Sequence, residues 1–167
     1  LYRSIEKVLH EGHLRRAGRA AEQQVRRRRI LVVDDSITVR EVERQLLSGC
    51  GYEVETAVDG IEGWNVVRDG RFDLVVTDID MPRMNGISVI KDIKSRFPEM
   101  KIMALTVHDT EEYILETFHS GLDGYCLKDS SSSELLTAIR RVLQGDTYLS
   151  PCISEKVLVG FLEGKKT

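Results

Sequence analysis

The sequence predicts an α/β protein. It reads as a doubly wound, five-stranded parallel sheet with an N-terminal linker helix and a C-terminal extra helix. Three observations lead there. Short apolar runs alternate with stretches of helical periodicity, five times in succession between Ile30 and Leu143. The segments joining them are short, and right-handed crossovers place the helices on both faces. Acidic residues stand directly after strand runs, at Asp34-Asp35 and Asp78, where an open α/β sheet gathers its ligand-binding side chains.

The elements follow in order. Ile30–Val33 is a strand of branched residues. Val39, Val42, Leu46 and Leu47 give the first helix its apolar stripe, up to Gly49 and Gly51. Tyr52, Val54 and Thr56 alternate as a second strand. Ile61, Trp64, Val66 and Val67 mark a second helix, closed by Asp69-Gly70. Leu74–Val76 is the central strand; it ends in a loop where Pro82 cannot continue a ladder and Asn85-Gly86 reads as a turn. Ile87, Ile90 and Ile93 mark the third helix, Lys101–Leu105 the fourth strand, and Tyr113, Ile114 and Phe118 the fourth helix. Gly124–Leu127 is the fifth strand, and Leu135, Leu136, Ile139, Val142 and Leu143 line the fifth helix. Ser150-Pro151 then opens a last helix over 152–162.

Length and composition set the scale. With 167 residues, 41% of them hydrophobic, the chain suits one globular domain plus extensions. The predicted division is a basic linker helix and tail over 1–29, the α/β domain over 30–146, and a C-terminal linker helix over 147–167. Charge is unevenly split. Residues 1–29 carry nine Lys/Arg against three Asp/Glu, and the remainder fifteen against twenty-four. The run Arg26–Arg29 has no interleaved aromatic residues, so it reads as a solvated linker, with no nucleic-acid or membrane contact expected. His10 and His13 lack a third metal ligand nearby. Cys50, Cys126 and Cys152 have no CxxC spacing, as expected of reduced thiols in a cytoplasmic protein. No apolar run approaches membrane-spanning length. The chain opens on Leu1, and a piece of a longer protein is expected.

The strand ends carry the chemistry. The first supplies Asp34 and Asp35, the third Asp78 with Asp80 two residues on, the fourth Thr106 and the fifth Lys128. Clustered carboxylates repel and call for a cation. An oxygen-only ligand set with room for water suits Mg²⁺. A divalent ion and a lysine together neutralise phosphoryl oxygens, and a carboxylate is a competent nucleophile for that group. The set is complete for one reaction, transfer of a phosphoryl group onto Asp78.

These residues resemble the receiver domain of two-component response regulators: Asp34-Asp35, the stretch Val76-Thr-Asp78-Ile-Asp80-Met-Pro-Arg-Met-Asn-Gly86, Thr106 and Lys128, in that order. The resemblance implies a flavodoxin-like sheet of order 2-1-3-4-5. It implies that Asp78 is the phosphoacceptor, supplied by a histidine kinase or phosphotransfer protein. Asp35, Asp78 and the backbone carbonyl of Asp80 would ligate Mg²⁺ directly, and Asp34 through water. Lys128 would pair with the phosphoryl oxygens. Thr106 and Tyr125 would be the switch residues, reshaping the face made by the fourth helix, fifth strand and fifth helix to control an output or a partner. The Asp80 side chain and His108 would tune phosphate lifetime. A homodimer is among the assemblies implied. Asp129 follows Lys128 where many relatives have a proline.

The two halves resemble different branches. Residues 30–86, with Val33–Glu41 and Ala57–Trp64, look like the receiver of CheA-type hybrid histidine kinases, and Leu1–Leu14 like the linker leading into it. From Ile87, the stretches Ile90–Pro98, Ala104–Asp109, Gly124–Asp129 and Tyr148–Pro151 resemble NarL/LuxR-type regulators. The expectation is a chimera joined near Met81–Gly86, by natural recombination or by engineering, lacking the helix-turn-helix output domain; the alternative is a single divergent receiver. Two rival readings exist. A haloacid-dehalogenase-like phosphatase also uses Asp-x-Asp after a strand, but Pro82 stands where that family needs a small hydroxyl residue, and Asp34-Asp35 has no role there. An interaction module that is never phosphorylated would keep the fold without the chemistry.

Overall fold

The computed structural model describes residues 26–81 and 85–164. Most of the predicted linker helix over 1–29 lies outside the described residues, as do Pro82, Arg83 and Met84 of the central motif. The elements are β1 (Arg29–Val33), α1 (Ile37–Gly49), β2 (Glu53–Ala57), α2 (Gly60–Asp69), β3 (Leu74–Thr77), α3 (Gly86–Arg96), β4 (Lys101–Thr106), α4 (Glu111–His119), β5 (Gly124–Leu127), α5 (Ser132–Leu143), β6 (Tyr148–Leu149) and α6 (Pro151–Gly164).

All neighbouring strands are parallel, in the order β2-β1-β3-β4-β5-β6. The first five follow the expected order. The sheet has six strands rather than the expected five: Tyr148 and Leu149 pair with Gly124 and Tyr125. Two residues make no periodic run, so this strand exists only because β5 offers it an open edge. Tyr148 N–H donates to Asp123 O at 3.0 Å and Ser150 N–H to Tyr125 O at 3.1 Å.

Successive residues of the inner strands serve opposite layers, because side chains alternate across a sheet. Leu31, Val33 and Val75 pack with Val67 of α2, Ile90 and Ile93 of α3 and Ile114 of α4. Ile30, Val32, Leu74 and Val76 pack with Leu47 of α1 and with Leu135, Ile139 and Val142 of α5. The strands therefore read as continuous apolar runs. Each fully buried Leu, Ile or Val contributes roughly 1.5–3 kcal/mol of transfer free energy.

Several helices begin on a side-chain cap. Ser36 Oγ accepts from Val39 N–H, Asn85 Oδ1 from Ser88 N–H, and Ser131 Oγ from Glu134 N–H. Asn85-Gly86 is therefore a cap and helix start rather than the expected turn. Two predicted inner residues face out. Val42 is 60% exposed and Ile61 is also exposed, while Glu43 and Gly63 point inward. Position 43 lies one helical turn from both Val39 and Leu47, so α1 turns 39-43-47 toward the sheet, not 42.

Candidate functional site

β1, β3, β4 and β5 all run toward one edge, and the predicted residues stand at their ends. Asp34 continues from β1, with Asp35 next to it; Asp78 follows β3; Thr106 closes β4; Lys128 follows β5. Asp34, Asp78 and Thr106 are buried and Asp35 is exposed. Asp34, Asp35 and Asp78 each present a carboxylate oxygen within 4.8 Å of the others.

Lys128 closes the pocket. Its Nζ lies 2.8 Å from Asp34 Oδ2 and 3.0 Å from Asp78 Oδ2. Burial alone would pull the lysine pKa down, but the two carboxylates outweigh it and hold the ammonium charged. Burial also raises Asp78, against the lowering by Lys128, with Asp34 adding repulsion. Asp78 Oδ1 accepts from the N–H groups of Ile79 at 2.7 Å and Asp80 at 3.3 Å. Asp34 Oδ1 accepts from Ser36 N–H at 2.9 Å. Asp34 Oδ2 is buried and paired with the Lys128 ammonium at 2.8 Å. A buried carboxylate oxygen so placed, beside two further carboxylates, fits a hard divalent cation held by oxygen ligands.

The remaining predicted residues rim the pocket. The Asp80 side chain is exposed and hydrogen-bonds His108 Nε2, and Tyr113 Oη donates to Asp80 Oδ1 at 3.2 Å. His108 N–H donates to Thr106 Oγ1 at 3.2 Å. Tyr125 is fully buried, and its hydroxyl donates to His108 O at 2.7 Å. The loop after β5 is set by Lys128 N–H to Thr106 O at 2.8 Å and Ser130 N–H to Leu127 O at 3.1 Å, without a proline.

Sequence reasoning missed Glu43, whose side chain is buried beneath the pocket. Burial, then repulsion from Asp34, pushes its pKa up to about 8 despite Lys128. With Lys128, Ser130 and the apolar side chains of α1 and α5 it lines a cleft of about 230 Å³. A glutamate on a surface helix is ordinarily assigned to solvent; only the 39-43-47 spacing marked it as inward. Arg40 was also missed: its Nη1 donates to Asp34 O at 2.7 Å. Periodicity marks Tyr113 only as a helix-face residue, and does not show its bond to Asp80.

Fold and site together define a receiver-type α/β domain: a doubly wound sheet whose carboxyl edge holds three acids closed by one lysine. The family model for the response regulator receiver domain matches residues 30–140, and the chain belongs to that family. It is a receiver of two-component signal transduction and not a turnover enzyme. The chain is 34% identical over 145 residues to the oxygen regulatory protein NreC of Staphylococcus epidermidis, an alignment covering 83% of this chain and 65% of that protein. It thus spans less than two thirds of that relative's length. A LuxR-family two-component response regulator of Aurantimonas matches at 32% identity with a TM-score of 0.78, over 82% of this chain and 99% of that structure. The chemotaxis protein CheY4 of Vibrio cholerae matches at 34% identity and a TM-score of 0.67, over 70% and 99%. Relatives of both the LuxR and the chemotaxis kinds are therefore present, each matching across most of the chain rather than one half of it. Membership implies a histidine kinase as partner, and the acidic triad is of the kind that binds Mg²⁺ in receivers. Among the described residues no helix is long and apolar enough to cross a membrane.

Proposed function

We propose that this chain takes a phosphoryl group from a histidine kinase or phosphotransfer protein onto Asp78 and converts that event into a change at the surface around α4, β5 and α5. The observation that carries the reading is the lysine bridge: Lys128 Nζ within 3.0 Å of both Asp78 and Asp34, beside the Asp34-Asp35-Asp78 cluster. An Asp78 oxygen forms the new bond to phosphorus while the bond from phosphorus to the donor's imidazole nitrogen breaks, and the imidazole leaves with its electron pair. Asp34, Asp35, Asp78 and the Asp80 carbonyl would hold Mg²⁺, which would supply countercharge for the phosphoryl oxygens. Lys128 supplies the protein's own countercharge and keeps the carboxylate aimed. Ile79 and Asp80 N–H groups fix one Asp78 oxygen, leaving the other toward Lys128.

Thr106 and Tyr125 act as the switch pair, and Asp80 with His108 rims the route that an attacking water would take. Cytoplasmic residence, a linker role for the segments flanking residues 30–146, and a homodimer belong to the same reading. So does an origin in two receiver lineages meeting near Met81–Gly86. Mass spectrometry after treatment with acetyl phosphate and Mg²⁺ tests the core claim. The parent is expected to gain one phosphoryl group and Asp78→Asn none; equal labelling of the two would overturn it.

A further inference from the structure

Part of the expected switch face is covered by the chain itself. β6 takes the open edge of β5, and α6 lies along α4. The seat is a packed one. Ile153 of α6 is fully buried in the same cluster as Ile114 of α4 and Tyr125 of β5, with Val157 against it. Ser150 N–H donates to Tyr125 O. One turn beyond Ile153, Lys156 Nζ donates to Asp109 O at 3.2 Å and to its carboxylate at 2.5 Å. The Glu111 carboxylate occupies the space where a side chain at Gly160 would stand.

Asp109 connects this helix to the pocket. His108, its neighbour, donates its N–H to Thr106 Oγ1, bonds Asp80 through its ring, and accepts the Tyr125 hydroxyl at its carbonyl. The segment 106–109 is therefore tied at one end to residues of the acidic pocket and at the other to α6. A hydroxyl that turned toward a phosphoryl group on Asp78 would give up the His108 N–H, removing one of the three bonds that hold His108.

We propose that β6 and α6 form a cap in cis on the switch face, and that phosphorylation of Asp78 loosens it through Thr106, His108 and Asp109. This rests on the phosphoacceptor reading above. Output then leaves through the chain's own C-terminal helix, and an external partner of the α4–β5 face must first displace it. The Lys156–Asp109 pair is exposed at both ends and holds weakly, as a releasable contact must. Ile153 and the β6 pairing keep the cap in place at rest.

The test is hydrogen–deuterium exchange on the whole chain, with bound beryllofluoride followed by ¹⁹F NMR in the same samples. With Mg²⁺ and beryllofluoride, amides in 148–164 are expected to exchange faster by about fivefold, the effect of losing roughly 1 kcal/mol of local stability. Lys156→Gln is expected to exchange faster without any ligand. Asp78→Asn is expected to show neither bound fluoride nor the change. A bound ¹⁹F signal with exchange in 148–164 unchanged or slowed overturns the cap while leaving the phosphoacceptor reading standing. Absence of a bound signal in the parent overturns both. Faster exchange in Asp78→Asn on adding beryllofluoride also overturns the cap.

Discussion

The ammonium of Lys128 lies 3.0 Å from Asp78 Oδ2 in a pocket where Asp34 and Asp78 are both buried. Removing it leaves two buried carboxylates facing each other without countercharge. Lys128→Met is expected to destabilise the fold at neutral pH by about 3 kcal/mol, the scale for breaking a buried pair from one side. The sign with pH follows from Asp78, whose folded pKa is raised by burial. A group raised in the folded state favours folding when protonated, so the deficit of the variant shrinks as pH falls toward the carboxylate range. Urea denaturation at pH 7 and at mildly acid pH measures both.

On the proposed reading a divalent cation would supply the charge that the acidic cluster lacks. Adding Mg²⁺ is expected to raise the melting temperature, by an amount set by about 2.7 kcal/mol at one hundred times the dissociation constant. Asp35→Asn and Asp78→Asn are each expected to remove most of that increment. Asp78→Asn without metal is expected to be more stable than the parent at pH 7, since ionised Asp78 is a cost there. Thermal melts with Mg²⁺ or with EDTA distinguish the two effects.

Glu43 predicts a pH dependence that is present without metal. Its folded pKa of about 8 stands above the ordinary value of 4.5. Stability from this group is present in full below the unfolded pKa and is lost as pH rises toward 8, because the unfolded chain releases the proton first. At pH 7 the loss reaches as much as about 3 kcal/mol. Glu43→Gln keeps the shape and removes the titration. It is expected to be more stable than the parent at pH 7 and nearly equal at pH 4.5, with a flatter profile between. Equal slopes for parent and variant, in denaturation in EDTA, would refute the assignment.

Much of this was legible in the sequence, and the exceptions share a cause. The five long strands were read because branched residues such as Ile30–Val33 and Leu74–Val76 form runs that only a buried strand explains. The pocket was read because strand ends converge whatever the loops do. β6 was not, since Tyr148-Leu149 acquires strand character only from the edge of β5. Hydrophobic periodicity gives Val42 the inward place on α1, while Glu43 occupies it. The contacts of Asp80 with His108 and Tyr113 join residues 28 and 33 positions apart through loop geometry, which no local pattern encodes. The reading of Asn85-Gly86 as a turn failed for a related reason. Asn serves turns and helix caps alike, and tertiary packing decides between them.

Gly86 is the position where that packing is least forgiving. A Cβ built there falls 2.4 Å from Asp78 O and 2.6 Å from Ile79 Cα, both backbone atoms. Gly86 N–H also donates to Ile79 O at 2.8 Å, so the start of α3 and the strand end bearing Asp78 are held together directly. Gly86→Ala cannot be relieved by a rotamer change; one segment has to move away from the other. A loss of about 2–4 kcal/mol is expected, at the upper end for overpacking, because the clash is with main chain. The displaced segment is the one whose Ile79 and Asp80 N–H groups aim Asp78. Labelling by acetyl phosphate is therefore expected to slow by more than tenfold even where the variant is fully folded, since misplacing a reacting group by about an ångström costs far more rate than binding. Circular dichroism establishes the folded fraction, and labelling rates at matched folded concentration decide the point. Parent-like rates in a folded Gly86→Ala would mean that the approach of α3 to β3 does not position Asp78.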